Sequence, residues 1–203
     1  MSKLYTCLDL KKWDEAIQTC IELINLKARR NSSDDIPSLE EKVIRAIMGG
    51  SLHNFRDARA SDDKIALDSS KRTLTRMRDL FDRLKSSTKS ESWLYEISAT
   101  FNEEMGLMED VLDDLMKEYR TLQSVKCWEN DPALISKMTS LLKEIYAYHK
   151  AAGVKEGLVK CKFLINGVSK KVCRANCDSD MPTEVAELNA LLLEIEKIMS
   201  NIN

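Results

Sequence analysis

The sequence predicts an all-α protein of about eight or nine helices, joined as antiparallel neighbours. Glycine (6) and proline (3) are scarce in 203 residues, and the segments between them carry apolar residues at three- and four-residue intervals. That pattern excludes most β-sandwiches and α/β nucleotide folds. With 43% hydrophobic and 32% charged residues, the chain lies in the globular range and is ample for one core.

The first predicted helix, residues 2–10, turns at Trp13 into a second that runs to Arg29 with Ile17, Cys20, Ile21 and Ile24 inward. In Lys11-Lys12-Trp13-Asp14-Glu15-Ala16-Ile17 an aromatic precedes a small residue by three positions, as at the inter-helix turn of a tetratricopeptide (TPR) repeat. An upstream helix is then expected to begin before Met1, and the chain reads as a piece of a longer helical array. Asn31 to Pro37 is a polar linker. Ser38-Leu39-Glu40-Glu41 forms a capping box, which opens a short helix with Leu39, Val43, Ile44 and Ile47 inward. Gly49-Gly50 is expected to end it. Residues 51–65 show no period and predict a long connection.

From Ala66 to Ser86 a longer helix points Leu67, Leu74, Met77, Leu80, Phe81 and Leu84 inward. After the Ser/Thr break, Trp93, Ile97 and Phe101 recur four apart on one stripe. Gly106 marks a turn to a partner helix, 107–123, that buries Val111, Leu112, Leu115, Met116, Tyr119 and Leu122. This pair is expected to be a second TPR-like hairpin. Asp131-Pro132 gives an N-cap and a first-turn proline for a helix to His149, closed by Gly153. Residues 154–176 keep Leu158, Cys161, Ile165, Val168 and Val172 together. Pro182 starts the last helix, with Val185, Leu188, Leu191, Leu192, Ile195, Ile198 and Met199 inward. The organisation expected is a single helical unit over 1–203: a truncated TPR hairpin (1–30), degenerate TPR-like helices (38–123) with the 51–65 loop, and a carboxyl-terminal cap (131–203).

Net charge is only −2, so nothing global demands nucleic acid or acidic lipid. The signs are nevertheless segregated: basic over 71–89, acidic over 103–118, basic again over 150–174. The six cysteines are scattered, mostly on apolar helix faces, which fits a reducing cytosol or nucleus. No uninterrupted apolar run approaches bilayer length, so a soluble chain without membrane contact is expected.

Chemistry is sparsely indicated. The two histidines stand at no ligand spacing; His53 is expected in a solvent-exposed loop, and His149 as a cationic cap on a helix carboxyl end. Cys173 and Cys177 lie four apart but lack a second pair for zinc. No P-loop, dinucleotide turn, nucleophile elbow or paired-histidine motif occurs. No catalytic residue, cofactor, metal or small-molecule substrate is therefore expected. Surfaces remain as candidates. Glu103 and Glu104 with Asp110, Asp113 and Asp114 form a dense acidic cluster that is either a solvated helix face or a docking patch for a basic partner. Arg72, Arg76 and Arg83 lie along one helix and offer a track for RNA phosphates, although Asp79 and Asp82 stand ready as internal partners. Trp128 either plugs a gap between helix pairs or stands out as a binding hot spot.

KKWDEAI with CIELINLKAR, then EEKVIRAI, the SWLYEISATF hairpin and the Cys127-Trp128-Glu129-Asn130-Asp131 linker together resemble, in order and spacing, the carboxyl-terminal part of the tetratricopeptide repeat protein 27 family. The resemblance covers about residues 4–150. It implies the end of a right-handed α-solenoid in a eukaryotic assembly factor, associated with maturation of the U5 spliceosomal ribonucleoprotein alongside the heat-shock co-chaperone machinery. The expected function is a non-enzymatic protein-interaction scaffold of cytoplasm or nucleus. The alternatives are an RNA-contacting module using the basic helix at 71–89, and a purely structural solenoid cap.

Overall fold

The computed structural model describes residues 2–30, 41–87, 91–176 and 182–201. Among them the chain forms nine α-helices and a short 3₁₀ turn: α1 (Ser2–Asp9), α2 (Trp13–Arg30), α3 (Glu41–Ala60), α4 (Lys64–Ser87), α5 (Ser92–Glu104), α6 (Met108–Gln123), the turn Trp128–Asn130, α7 (Pro132–Ala152), α8 (Lys155–Ala175) and α9 (Thr183–Asn201). The all-α expectation holds. The capping box at Ser38 lies outside the described residues. The helices fall into two compact units, 1–106 and 107–203.

In the first unit, Lys11 takes φ 54° at the turn between α1 and α2. The stripe that packs α2 is the one its spacing predicts: Ile17 and Cys20 are fully buried and Ile21 nearly so. They meet Ile44 and Ile47 of α3, Leu74, Met77, Leu80 and Phe81 of α4, and Ile97 and Phe101 of α5 in one core. Phe81 and Phe101 touch with ring centroids 5.4 Å apart at a tilted 52°, a geometry that suits the ring quadrupoles. Polar pairs at the rim reveal the helix directions. Asp14 of α2 pairs with Arg76 of α4, and further along both helices Asn25 meets Arg83, so α2 and α4 run parallel. Arg45 and Arg56 of α3 pair in the same sense with Glu96 and Glu104 of α5. Alternate helices are therefore parallel and consecutive ones antiparallel from α2 to α5. The paired residues are 48 to 62 positions apart, a longer step than the 34-residue TPR period.

The long connection expected over 51–65 is not there. Helix α3 runs through Gly49-Gly50 to Ala60, and only Ser61, Asp62 and Asp63 turn the chain. Two physical causes explain the difference. The buried face of α3 after Met48 carries Ser51, Leu52 and Ala58, so two of its three inward positions are polar or small and the helical period fades. The glycines serve a contact rather than a stop: a methyl group on Gly50 would lie 2.2 Å from Cε2 and Cζ2 of Trp13, so the indole of α2 rests on bare α3 backbone. The true start of α4 is set by Asp63, whose carboxylate accepts from the amides of Ile65 (3.0 Å) and Ala66 (3.1 Å), an N-cap.

In the second unit, Asp131 caps α7 as its sequence predicts, accepting from Ala133 at 2.9 Å and Leu134 at 3.3 Å. Gly153 closes α7 in the left-handed conformation at φ 65°, where glycine has no steric cost. Leu158, Cys161, Ile165, Val168 and Val172 of α8 are all buried. Lys143 and Lys150 of α7 pair with Glu187 and Glu194 of α9, each at 2.6 Å, so these two helices are parallel. Ser169 and Lys162 of α8 reach Asn189 and Glu196 of α9, which makes α8 antiparallel to α9.

The glycine pair yields a paired test. Gly49→Ala has no atom within 4 Å of its new methyl and should gain about 0.5–1 kcal/mol from helix propensity. Gly50→Ala must push the indole aside and is expected to lose about 1–3 kcal/mol. Denaturant midpoints of the two variants check the opposite signs.

Candidate functional site

The clusters singled out in the sequence are largely engaged within the fold. Of the acidic group, Glu104 pairs with Arg56 and Asp113 with Lys117 at 2.6 Å. Asp110 is half-buried and engaged internally, and Asp114 is only 2% exposed. Glu103 stays at the surface. The row of three arginines on α4 is divided in the same way. Arg76 binds Asp14, and Arg83 binds Asp79 at 3.0 Å as well as Asn25. Arg72 remains exposed. Trp128 is 2% exposed, with the Lys171 ammonium of α8 lying 5.8 Å from the ring centroid, so its indole is a wedge inside the unit.

Buried charge also occurs at a position that spacing does not single out. Glu118, one turn beyond Asp114 on α6, is 2% exposed and meets Lys137 of α7 at 2.9 Å. Removing Lys137 would leave the buried Glu118 carboxylate without its counter-charge. The pair fastens α6 to α7.

His53 is exposed on α3, 3.3 Å from Asp57, on a helix rather than in the expected loop. His149 departs further from expectation. It is half-buried, its Nε2 lies out of solvent with no hydrogen-bond partner, and a methyl on Gly157 of α8 would come within 2.2 Å of Nδ1. Burial and the nearby Lys160 ammonium hold its pKa below the ordinary imidazole value. The ring is a neutral packing element and not a cationic cap; Gly153 ends α7 instead.

Cys7, Cys20 and Cys161 are buried while Cys127 and Cys173 are exposed, so the thiol of Cys173 is not the core residue its helix suggests. Cys177 lies outside the described residues. Burial pushes Cys20 up to about 12 and Cys161 up to about 11, which leaves both as inert apolar filler. No group of three or more metal-ligating side chains occurs among the described residues, and none of their helices is long and apolar enough to cross a membrane. A cleft of ≈ 300 Å³ opens beside the amino end of α2. Its carboxylates, Asp14 and Glu15, are taken by Arg76 and Lys12, and its Thr73 hydroxyl donates to the Ser69 carbonyl.

One surface has the opposite character. On α8, Phe163 is 78% and Val159 48% exposed, and Lys160, Lys170 and Arg174 are exposed and make no ion pair among the described residues. Positions 159, 163, 170 and 174 fall within one narrow stripe of the helix, opposite the buried row that holds α8 in place. The basic character of 150–174 is plain in the sequence. The two apolar residues within it are found only by asking what remains once the inward row is removed.

No family model matches the chain, and no curated protein matches it. A solved structure titled "DHF58 filament" aligns over 99% of this chain and 96% of that one, at 15% identity and a TM-score of 0.33. At that score the likeness carries no argument. The class that the fold defines is an all-α protein of alternately directed helices.

The state of His149 has a sign that can be checked. With its folded pKa below the unfolded value of about 6.5, the unfolded chain takes up the proton first on acidification. Its contribution to stability is intact above that value and is lost as pH falls from about 6.5 toward the folded pKa. Denaturant melts between pH 7.5 and 5.5 should show this loss, and His149→Asn should flatten it.

Proposed function

We propose that this chain is a non-enzymatic protein-interaction module, one end of a TPR-like helical array in a factor resembling those that assist U5 ribonucleoprotein assembly. The observation that carries the reading is the outward stripe of α8. There a largely exposed phenylalanine stands beside cations that make no ion pair among the described residues, whereas Arg76, Arg83, Glu104 and Asp113 of the other charged runs are paired. Aromatic side chains and arginine are the residues in which binding energy concentrates at protein interfaces. The alternation of helix directions in each unit supports an array that presents helix faces outward. The RNA reading is weaker, because Arg76 and Arg83 on the basic helix α4 already neutralise Asp14 and Asp79. Cytoplasm or nucleus, and spliceosomal or chaperone proteins as partners, belong to this reading through the family resemblance.

The test is affinity capture of the full chain from cells after chemical crosslinking, with and without nuclease, followed by mass spectrometry. Protein partners that survive nuclease treatment are the expected result. Recovery that disappears with nuclease would transfer the function to RNA.

A further inference from the structure

We infer that the outward stripe of α8 docks an amphipathic helix of a protein partner, one whose first turns are acidic and whose apolar anchors follow two to three turns later. The inference rests on the protein-interaction reading and names the site and the partner's chemistry. The stripe is divided along its length. Val159 and Phe163 occupy the amino-terminal half, where Lys160 at the flank stands one turn from Glu156, and Lys170 and Arg174, with Lys171 at the flank, occupy the carboxyl-terminal half with no acidic residue among them. At 1.5 Å per residue, Phe163 lies about 10 Å from Lys170 and about 16 Å from Arg174 along the axis. A helix laid alongside must carry its carboxylates the same distance from its apolar side chains, about seven to eleven residues away.

Direction follows from the dipole. Carboxylates are favoured in the first turn of a helix. A partner whose acidic residues are amino-terminal can place them on Lys170 and Arg174, with its later apolar residues on Phe163 and Val159, only if it runs antiparallel to α8. Gly167 lies between the two halves, exposed, with no atom within 4 Å of where a side chain would begin. Nothing inside the protein requires a glycine there, and in a helix interior it carries a propensity cost. Toward solvent it leaves a flat stretch over which a second backbone can approach closely. Glu156 also lies on this side of α8, near the apolar end, where a partner acidic along its whole length would be repelled. A nucleic acid strand is favoured less. Successive bases stack on successive aromatics beside a cationic track, and this face has one ring with its main cations displaced to one end.

The full 203-residue chain is titrated by fluorescence anisotropy against three labelled probes. The first is an alanine-based helical peptide with glutamates in its first two turns and leucine and phenylalanine two to three turns later. The second is a peptide of the same composition with those halves exchanged, and the third is single-stranded oligouridine. The first peptide should bind about tenfold more tightly than the second, and Phe163→Ala, Gly167→Leu and the pair Lys170→Glu with Arg174→Glu should each weaken it about tenfold. Unchanged circular dichroism and melting exclude unfolding as the cause. Equal binding of the two peptides, no binding of either, or preferential binding of oligouridine overturns the inference. Repeating the cellular capture with Phe163→Ala separates the two readings: undiminished nuclease-resistant partners leave the interaction module standing without this dock, whereas a wild-type chain that retains no protein defeats both.

Discussion

Each unit contains a seam in which an aromatic ring fits onto a helix that has no side chain at that point. In the first unit the Trp13 indole of α2 covers Gly50 of α3; in the second the His149 imidazole of α7 covers Gly157 of α8. A helix surface is a set of ridges, and neighbouring axes ordinarily stand 8–10 Å apart according to the side chains between them. Removing one side chain and filling the gap with a flat ring lets two helices close up without a void. The chain spends helix propensity at two glycines to obtain that approach.

Most of the fold is legible because its helices are amphipathic in the plainest way. The inward rows of α4 and α8 can be written down from spacing alone, and Asp131-Pro132 and Gly153 announce both ends of α7. The errors share a cause. Gly49-Gly50 reads as a stop because local chemistry says so, and only a residue 37 positions earlier in the chain gives the pair another purpose. Asp114 looks like a member of a solvated acidic face until other residues cover that side of α6. His149 looks like a cap because its charge state is decided by burial, which sequence does not display. Propensity and pattern are local quantities, and each of these residues answers to a partner contributed from elsewhere.

The candidate site illustrates the same division from the other direction. Runs of like charge invite functional readings, yet charge that finds its opposite inside the fold has only modest surface energy and little left to offer a ligand. Arg76 and Arg83 are such residues, as are Glu104 and Asp113. On α8 there is a remainder: an exposed aromatic ring and positive charge that the described residues leave unmatched. That remainder is invisible until every ion pair has been assigned, so a three-dimensional account was required to see it.

The glycine pair in α3 also bears on the order in which the first unit comes together. Two adjacent glycines in the middle of a twenty-residue helix raise the cost of propagating it by about 2 kcal/mol relative to alanine, enough to make the isolated segment a poor helix in water. Its ends can wind independently, but its centre is held only when Trp13 arrives. Helix α3 is thus a conditional element: its middle turns depend on a contact from α2, and the helix owes its continuity to tertiary packing rather than to its own sequence.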